Sequence, residues 1–185
     1  MAQVSYTVAM FMLRSTIVGV PILSLRTGSA IGATVTEIIN PNNLKIVGFY
    51  CENRFNSEAT VLLAQDIREI AKNGIIVNDH EVLSEPKDLI RLKKIIAIEF
   101  DAIGKTVVTE SKTKVGKVED YAVEKDSLFI KKLYVSRSML KSFGSGQLAV
   151  DRNEVVEVTD KKIIIKDILQ PTKIRSTINA MASGS

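Results

Sequence analysis

The sequence predicts a mainly β protein, built as two tandem small β-barrels joined by a short helix, and three observations predict it. The chain matches itself at a displacement of about 84 to 88 residues, in order, spacing and residue class. Short runs rich in Val, Ile and Tyr recur every 8 to 12 residues or so with turn residues between them, the pattern of a small barrel or sandwich. The chain has 185 residues, of which 45% are hydrophobic and 25% charged. That is enough for one ordinary domain or two small ones, and the balance excludes general disorder and collagen-like or low-complexity architecture.

Residues 1–15 read as a leader. Its apolar cluster, Val8 to Leu13, is brief and has no Lys or Arg ahead of Arg14, so it does not read as an export signal. Met1, Met10 and Met12 are each candidates for the natural start. No apolar run approaches the 18 to 20 residues or so needed to cross a bilayer, so no integral membrane segment is expected.

The first copy is assigned to residues 16–83 and the second to 98–170. Gly19 and Gly104 each open an apolar stretch, and Gly32 and Gly116 each follow a β-branched residue about a dozen positions later. These four glycines are read as structural, serving turns or barrel closure. Leu44–Tyr50 lines up with Leu128–Tyr134, and Asp66–Ile70 with Glu154–Val158. Ile75–Val77 and Ile163–Ile165 then supply a closing β-branched triple in each copy. Asn40–Asn43 and Glu124–Ser127 read as hairpin turns, as do Lys72–Gly74 and Asp160–Lys162 before the last strand. A copy of this size cannot leave two apolar sheet faces wet, and closing the sheet into a barrel buries one face and removes the edges.

Residues 84–97 read differently. Ser84 can cap, Pro86 suits a first helical turn, and Leu89, Leu92 and Ile96 recur on one side, which predicts an amphipathic linker helix of about three turns. The tail, 171–185, has only Ile174 and Ile178 to bury and is expected to be mobile.

Gly104-Lys-Thr-Val-Val-Thr-Glu110, followed by Val115-Gly-Lys-Val-Glu-Asp-Tyr-Ala-Val123, resembles the opening of PRC-barrel domains. The likeness covers the second copy from about Gly104 to Ile168. The first copy, about Thr16 to Asn78, is similar to a more diverged member, with Ile31-Gly-Ala-Thr-Val35 in place of the Val-Gly-Lys-Val form. Leu63 to Val77 is similar to the closing hairpin of that family. The resemblance implies a small barrel of about six strands used as an adaptor. Members include the cytoplasmic barrel of the photosynthetic reaction-centre H subunit and the C-terminal domain of a ribosome maturation factor, with sporulation-associated and archaeal cell-division proteins besides. It implies no shared active site.

The residues themselves offer little to chemistry. The one cysteine, Cys51, excludes an internal disulfide, fits a reducing compartment, and as a strand residue behaves as a small hydrophobe. The one histidine, His80, lies between Asp79 and Glu81 in a stretch whose neighbours cannot all converge on one metal ion, and reads as a solvated loop residue. Gly144 and Gly146 lack the ordered spacing and the Lys-Ser/Thr pair of a phosphate loop. No catalytic residue, cofactor site or metal site is assigned.

The expected function is therefore a cytoplasmic, non-enzymatic adaptor that binds a protein partner through two barrels, with a homodimer left open. Leu89 and Leu92, between the copies, are candidate docking residues. The alternative is ribosome or RNA association through Lys131, Lys132, Lys161 and Lys162. The formal charge of +4 is spread as +1 over residues 1–95 and +3 over 96–185, without the dense stripe that nucleic-acid binders usually show.

Overall fold

A computed structural model describes residues 10–55, 59–137 and 147–167. In chain order the strands are β1 (Phe11–Leu13), β2 (Pro21–Ser24), β3 (Ala30–Asn40), β4 (Lys45–Asn53), β5 (Thr60–Leu63), β6 (Ile67–Ala71), β7 (Gly74–Val77) and β8 (Leu83–Ser84). A four-residue helix, α1 (Lys93–Ile96), follows. Then come β9 (Thr106–Thr109), β10 (Lys114–Glu124), β11 (Ile130–Arg137), β12 (Gln147–Asp151), β13 (Val155–Val158) and β14 (Lys162–Ile165). The protein is mainly β, as its β-branched runs dictate.

The strands form two sheets with one wiring. The first runs β6-β7-β2-β3-β4-β5-β8, and the second runs β13-β14-β9-β10-β11-β12, with β1 added to β10. In each, one pair is parallel, β2 with β7 and β9 with β14: Ile22 opposite Ile75, and Val107 opposite Ile163. The long strands β3 and β10 carry register shifts at corresponding places, between Thr34 and Thr36 and between Val118 and Asp120. Such bulges bend and twist a strand, so each long strand coils around its own apolar face.

Two of the paired glycines show why no other residue fits. A Cβ on Gly32 would meet the Glu52 carbonyl oxygen at 2.2 Å, and one on Gly116 would meet that of Ser136 at 1.6 Å. Gly19 and Gly104 meet nothing, but their φ values of 73° and 76° lie in the left-handed region.

No closed barrel is found among the described residues. Among the described residues, β6 and β8 end one sheet and β13 and β12 end the other without pairing across. The physical reason lies in the core. Ile22, Phe49 and Ile75 of the first sheet belong to the same buried cluster as Val107, Tyr121 and Leu133 of the second. Apolar faces that bury against a shared cluster do not need their first and last strands joined.

The joint between the sheets is built from corresponding residues. The Ile46 N–H donates to the Leu128 carbonyl at 3.0 Å, and the Ile130 N–H donates to the Leu44 carbonyl at 2.9 Å. Leu44 and Leu128 are both buried, and both hold positive φ, 51° and 58°. An aliphatic residue adopts that conformation only where its surroundings enforce it. Beside them Phe129 lies under Lys45 and Arg152, at 5.2 Å and 5.3 Å from the ring centre. Arg152 also donates through Nε to the Asn43 carbonyl at 3.2 Å.

Two segments differ from the sequence expectation. Part of the segment read as a leader joins the second sheet, where Phe11, Met12 and Leu13 pair with Glu124, Val123 and Ala122 of β10. The linker is not one three-turn helix. Leu83 and Ser84 instead pair with β5, Pro86–Asp88 forms a 3-10 turn, and Leu89 leaves helical geometry at ψ 64° before α1 begins. A helix this short is not self-supporting, and the sheet edge of β5 offers Ser84 hydrogen bonds that a cap position would forgo. The expected mobile tail at 171–185 and the glycines Gly144 and Gly146 lie outside the described residues. No helix among the described residues is long and apolar enough to cross a membrane.

Candidate interaction clefts

Leu89 and Leu92, half-buried on the linker, line a cleft of about 530 Å³ together with Lys45, Val47 and Leu63. The linker can reach this wall because β8 holds its start against β5. Ile90 sits on the same cleft and is 82% exposed, the most exposed large aliphatic side chain among the described residues. Ile90 thus adds apolar surface to the rim of a cleft already lined by Val47, Leu63, Leu89 and Leu92, and it is contiguous apolar surface that marks a contact site.

The four lysines are not brought together as one basic set. Lys131 pairs with Glu124 at 3.3 Å and Lys132 with Asp151 at 3.2 Å, on β11. Lys161 stands in the turn between β13 and β14, and Lys162 opens β14 with its N–H donated to the Thr159 hydroxyl. Adjacent strand residues point to opposite faces, so the β11 doublet serves two surfaces rather than one stripe.

A second cleft, of about 310 Å³, runs between β3 and the stretch from α1 to Asp101. It touches Thr36, Glu37, Ile38 and Ile39 in succession, with Ile96 and Phe100 opposite. Sequence reading missed it, because α1 and β3 are far apart in the chain and only their packing creates it. Glu37 is its distinctive residue. One carboxylate oxygen accepts from the Tyr121 hydroxyl and from Arg14 Nε, the latter at 2.7 Å, while the other oxygen is buried without a partner among the described residues. Burial, followed by the Glu37 charge, holds the Tyr121 hydroxyl protonated far above its ordinary range. Burial alone would weaken the Arg14 charge, but Glu37 outweighs it and raises the guanidinium pKa. A carboxylate in a strand otherwise lined by Ile and Thr was the available signal in the sequence.

Cys51 is buried on β4, where desolvation pushes its thiol up to about 12. The thiolate is the reactive form, so the native protein is expected to resist Ellman's reagent at about pH 8 and to react fully once unfolded in guanidinium. Rapid labelling of the folded protein would contradict this placement.

His80 is exposed and packs edge-on against Phe55, beside Asp79. Asp79 accepts from Ser24 Oγ at 3.2 Å and pairs with Arg26. Burial works to raise its pKa, but the His80 backbone and ring and the Arg26 charge hold it below the ordinary carboxylate value. The Ser127 hydroxyl does the same for Glu124, and the Ser111 hydroxyl and N–H for Asp167. Carboxylates whose pKa is lower folded than unfolded add stability that is complete above the unfolded value and lost as pH falls through the folded one. The urea midpoint should therefore be flat above about pH 5 and fall steadily below about pH 4. Asp79→Asn should flatten part of that slope, and an unchanged slope would remove Asp79 from the account.

Among the described residues no group of three or more His, Cys, Asp or Glu side chains could hold a metal ion. Compared with known proteins, the chain matches no family model and no curated relative.

Proposed function

We propose that the protein is an adaptor, working in the cytoplasm, in which two PRC-type modules form one body and hold a partner protein without catalysing a reaction. The observation that carries this reading is the cleft walled by Leu89 and Leu92, with Ile90 standing 82% exposed over it. An apolar side chain of the partner would gain burial there, while Lys45 and Arg91, against Asp88 on the same cleft, leave a net positive lining that steers an acidic approach. The shared wiring of the two sheets supports a doubled module, and the matched glycines at 19 and 104 and at 32 and 116 support it further. Two modules locked through Leu44 and Leu128 hold their surfaces at a fixed separation, which favours a partner engaging both.

The RNA or ribosome reading draws less support, because Lys131 and Lys132 are already neutralised by Glu124 and Asp151. Affinity capture from the native cell, run in parallel with wild type and Ile90→Asp, tests the two. A protein held by wild type and lost by the variant is the expected result. Equal capture by both would remove the cleft from the function, and ribosomal particles shed steeply with salt would favour the alternative.

A further inference from the structure

The two sheets share their strand order but not their edges, and the difference exposes a site. On β10 the outer edge beyond β9 is filled: Leu13, Met12 and Phe11 pair with Ala122, Val123 and Glu124. The corresponding residues of β3 are Ile38, Ile39 and Asn40, since both strands pair with their hairpin partners in the same register. Beyond β2, that edge of β3 carries no strand among the described residues. The second cleft lies there instead.

Its lining shows that it follows an edge. Consecutive strand residues point to opposite faces, so a cleft that touches 36, 37, 38 and 39 in a row runs alongside the backbone. Four residues of strand span about 13 Å, enough for a segment the length of β1. The side chains across from β3 are apolar, Ile95, Ile96 and Phe100. The charged ones in the lining are acidic, Glu37, Glu99 and Asp101; Arg14 already pairs with Glu37 at 2.7 Å, so Glu99 and Asp101 are the carboxylates a partner's cation would meet. The unpartnered oxygen of Glu37 adds a buried acceptor beside this edge.

We propose that the free edge of β3 takes an extended segment of a partner protein as an added strand, apolar at the positions facing Ile96 and Phe100 and carrying one Lys or Arg next to them. Main-chain hydrogen bonds to the strand edge supply the affinity in this mode, and the side-chain pockets supply the choice of sequence. The chain holds its own example of the chemistry: β1 is an apolar strand followed at once by Arg14, and Arg14 is the residue that reaches Glu37. This site is separate from the Ile90 cleft, so the two proposals stand or fall independently.

A fluorescein-labelled peptide with the sequence of residues 9–16 serves as the probe, read by anisotropy against the full chain. Saturable binding is expected, with amide NMR shifts centred on 36–39 and 95–101. N-methylation of alternate peptide amides should weaken it at least ~10-fold, because several main-chain bonds are lost together. Glu99→Lys, a change at an exposed position that already holds φ 49°, should weaken it about fivefold or more, and Ile90→Asp should leave it unchanged. Absence of saturable binding, indifference to N-methylation, or shifts confined to 118–124 would each overturn the proposal. So would binding that appears only after removal of 168–185, which would give the cleft to this chain's own tail.

Discussion

Gly116→Ala is expected to be the most damaging small substitution in the protein, lowering the unfolding free energy by about 3 kcal/mol or more, the upper end of what overpacking costs. The added carbon would lie 1.6 Å from the Ser136 carbonyl oxygen and 2.7 Å from its carbon, both backbone atoms of the neighbouring strand. β10 and β11 would have to separate, and their pairing runs from Gly116 to Val123 along the middle of the second sheet. Gly32→Ala, at 2.2 Å from the Glu52 carbonyl, should cost less but clearly register. Gly28→Ala supplies the control: its φ of 65° strains an alanine, yet its surroundings are open, so about 1 kcal/mol is expected. Urea unfolding of the three variants checks the order. A Gly116→Ala protein within about 0.5 kcal/mol of wild type would mean that the two strands do not approach as described.

Tyr121→Phe is expected to cost about 2 to 3 kcal/mol, the range for losing a buried hydrogen bond to a charged group. Glu37 and Tyr121 are corresponding residues, 84 apart, and they meet at the joint between the sheets. Removing the hydroxyl leaves the Glu37 side chain, 2% exposed, with Arg14 as its remaining partner. Glu37→Leu alone strands a buried hydroxyl, whereas Glu37→Leu with Tyr121→Phe removes both ends of the bond. The double variant should therefore be more stable than the sum of the single changes implies, by about 1 to 3 kcal/mol. Simple additivity would show that the two groups do not interact. Because the pair spans both sheets, the same cycle also measures how strongly one sheet supports the other.

The local signals were the legible ones. Asn40–Asn43 is a turn in the sequence because Pro and Asn favour it, and β3 does end at Asn40. Lys72 and Asn73 likewise separate β6 from β7. The linker shows where local signals mislead: Ser84, Pro86 and the Leu spacing all favour a helix, but an open edge on β5 takes Leu83 and Ser84 first. The leader shows the same thing at β10, where Phe11–Leu13 find an edge that sequence distance hides. Glu37 is an acid among aliphatics, a signal the sequence reading did not use, and its partners lie 23 and 84 positions away with neither marked by any motif.

The sequence by itself determined the secondary-structure class, the strands and turns repeated in the two copies and the glycines, but not β1 or β8, because alternation, β-branching and the need for a missing Cβ act over a few neighbouring residues. Only the tertiary structure decided that the described strands form two sheets sharing one buried cluster, and that β1 fills an edge of β10 whose counterpart on β3 carries no strand among the described residues. Those outcomes depend on which distant surfaces exclude water together, and that competition leaves no mark at any single position of the chain.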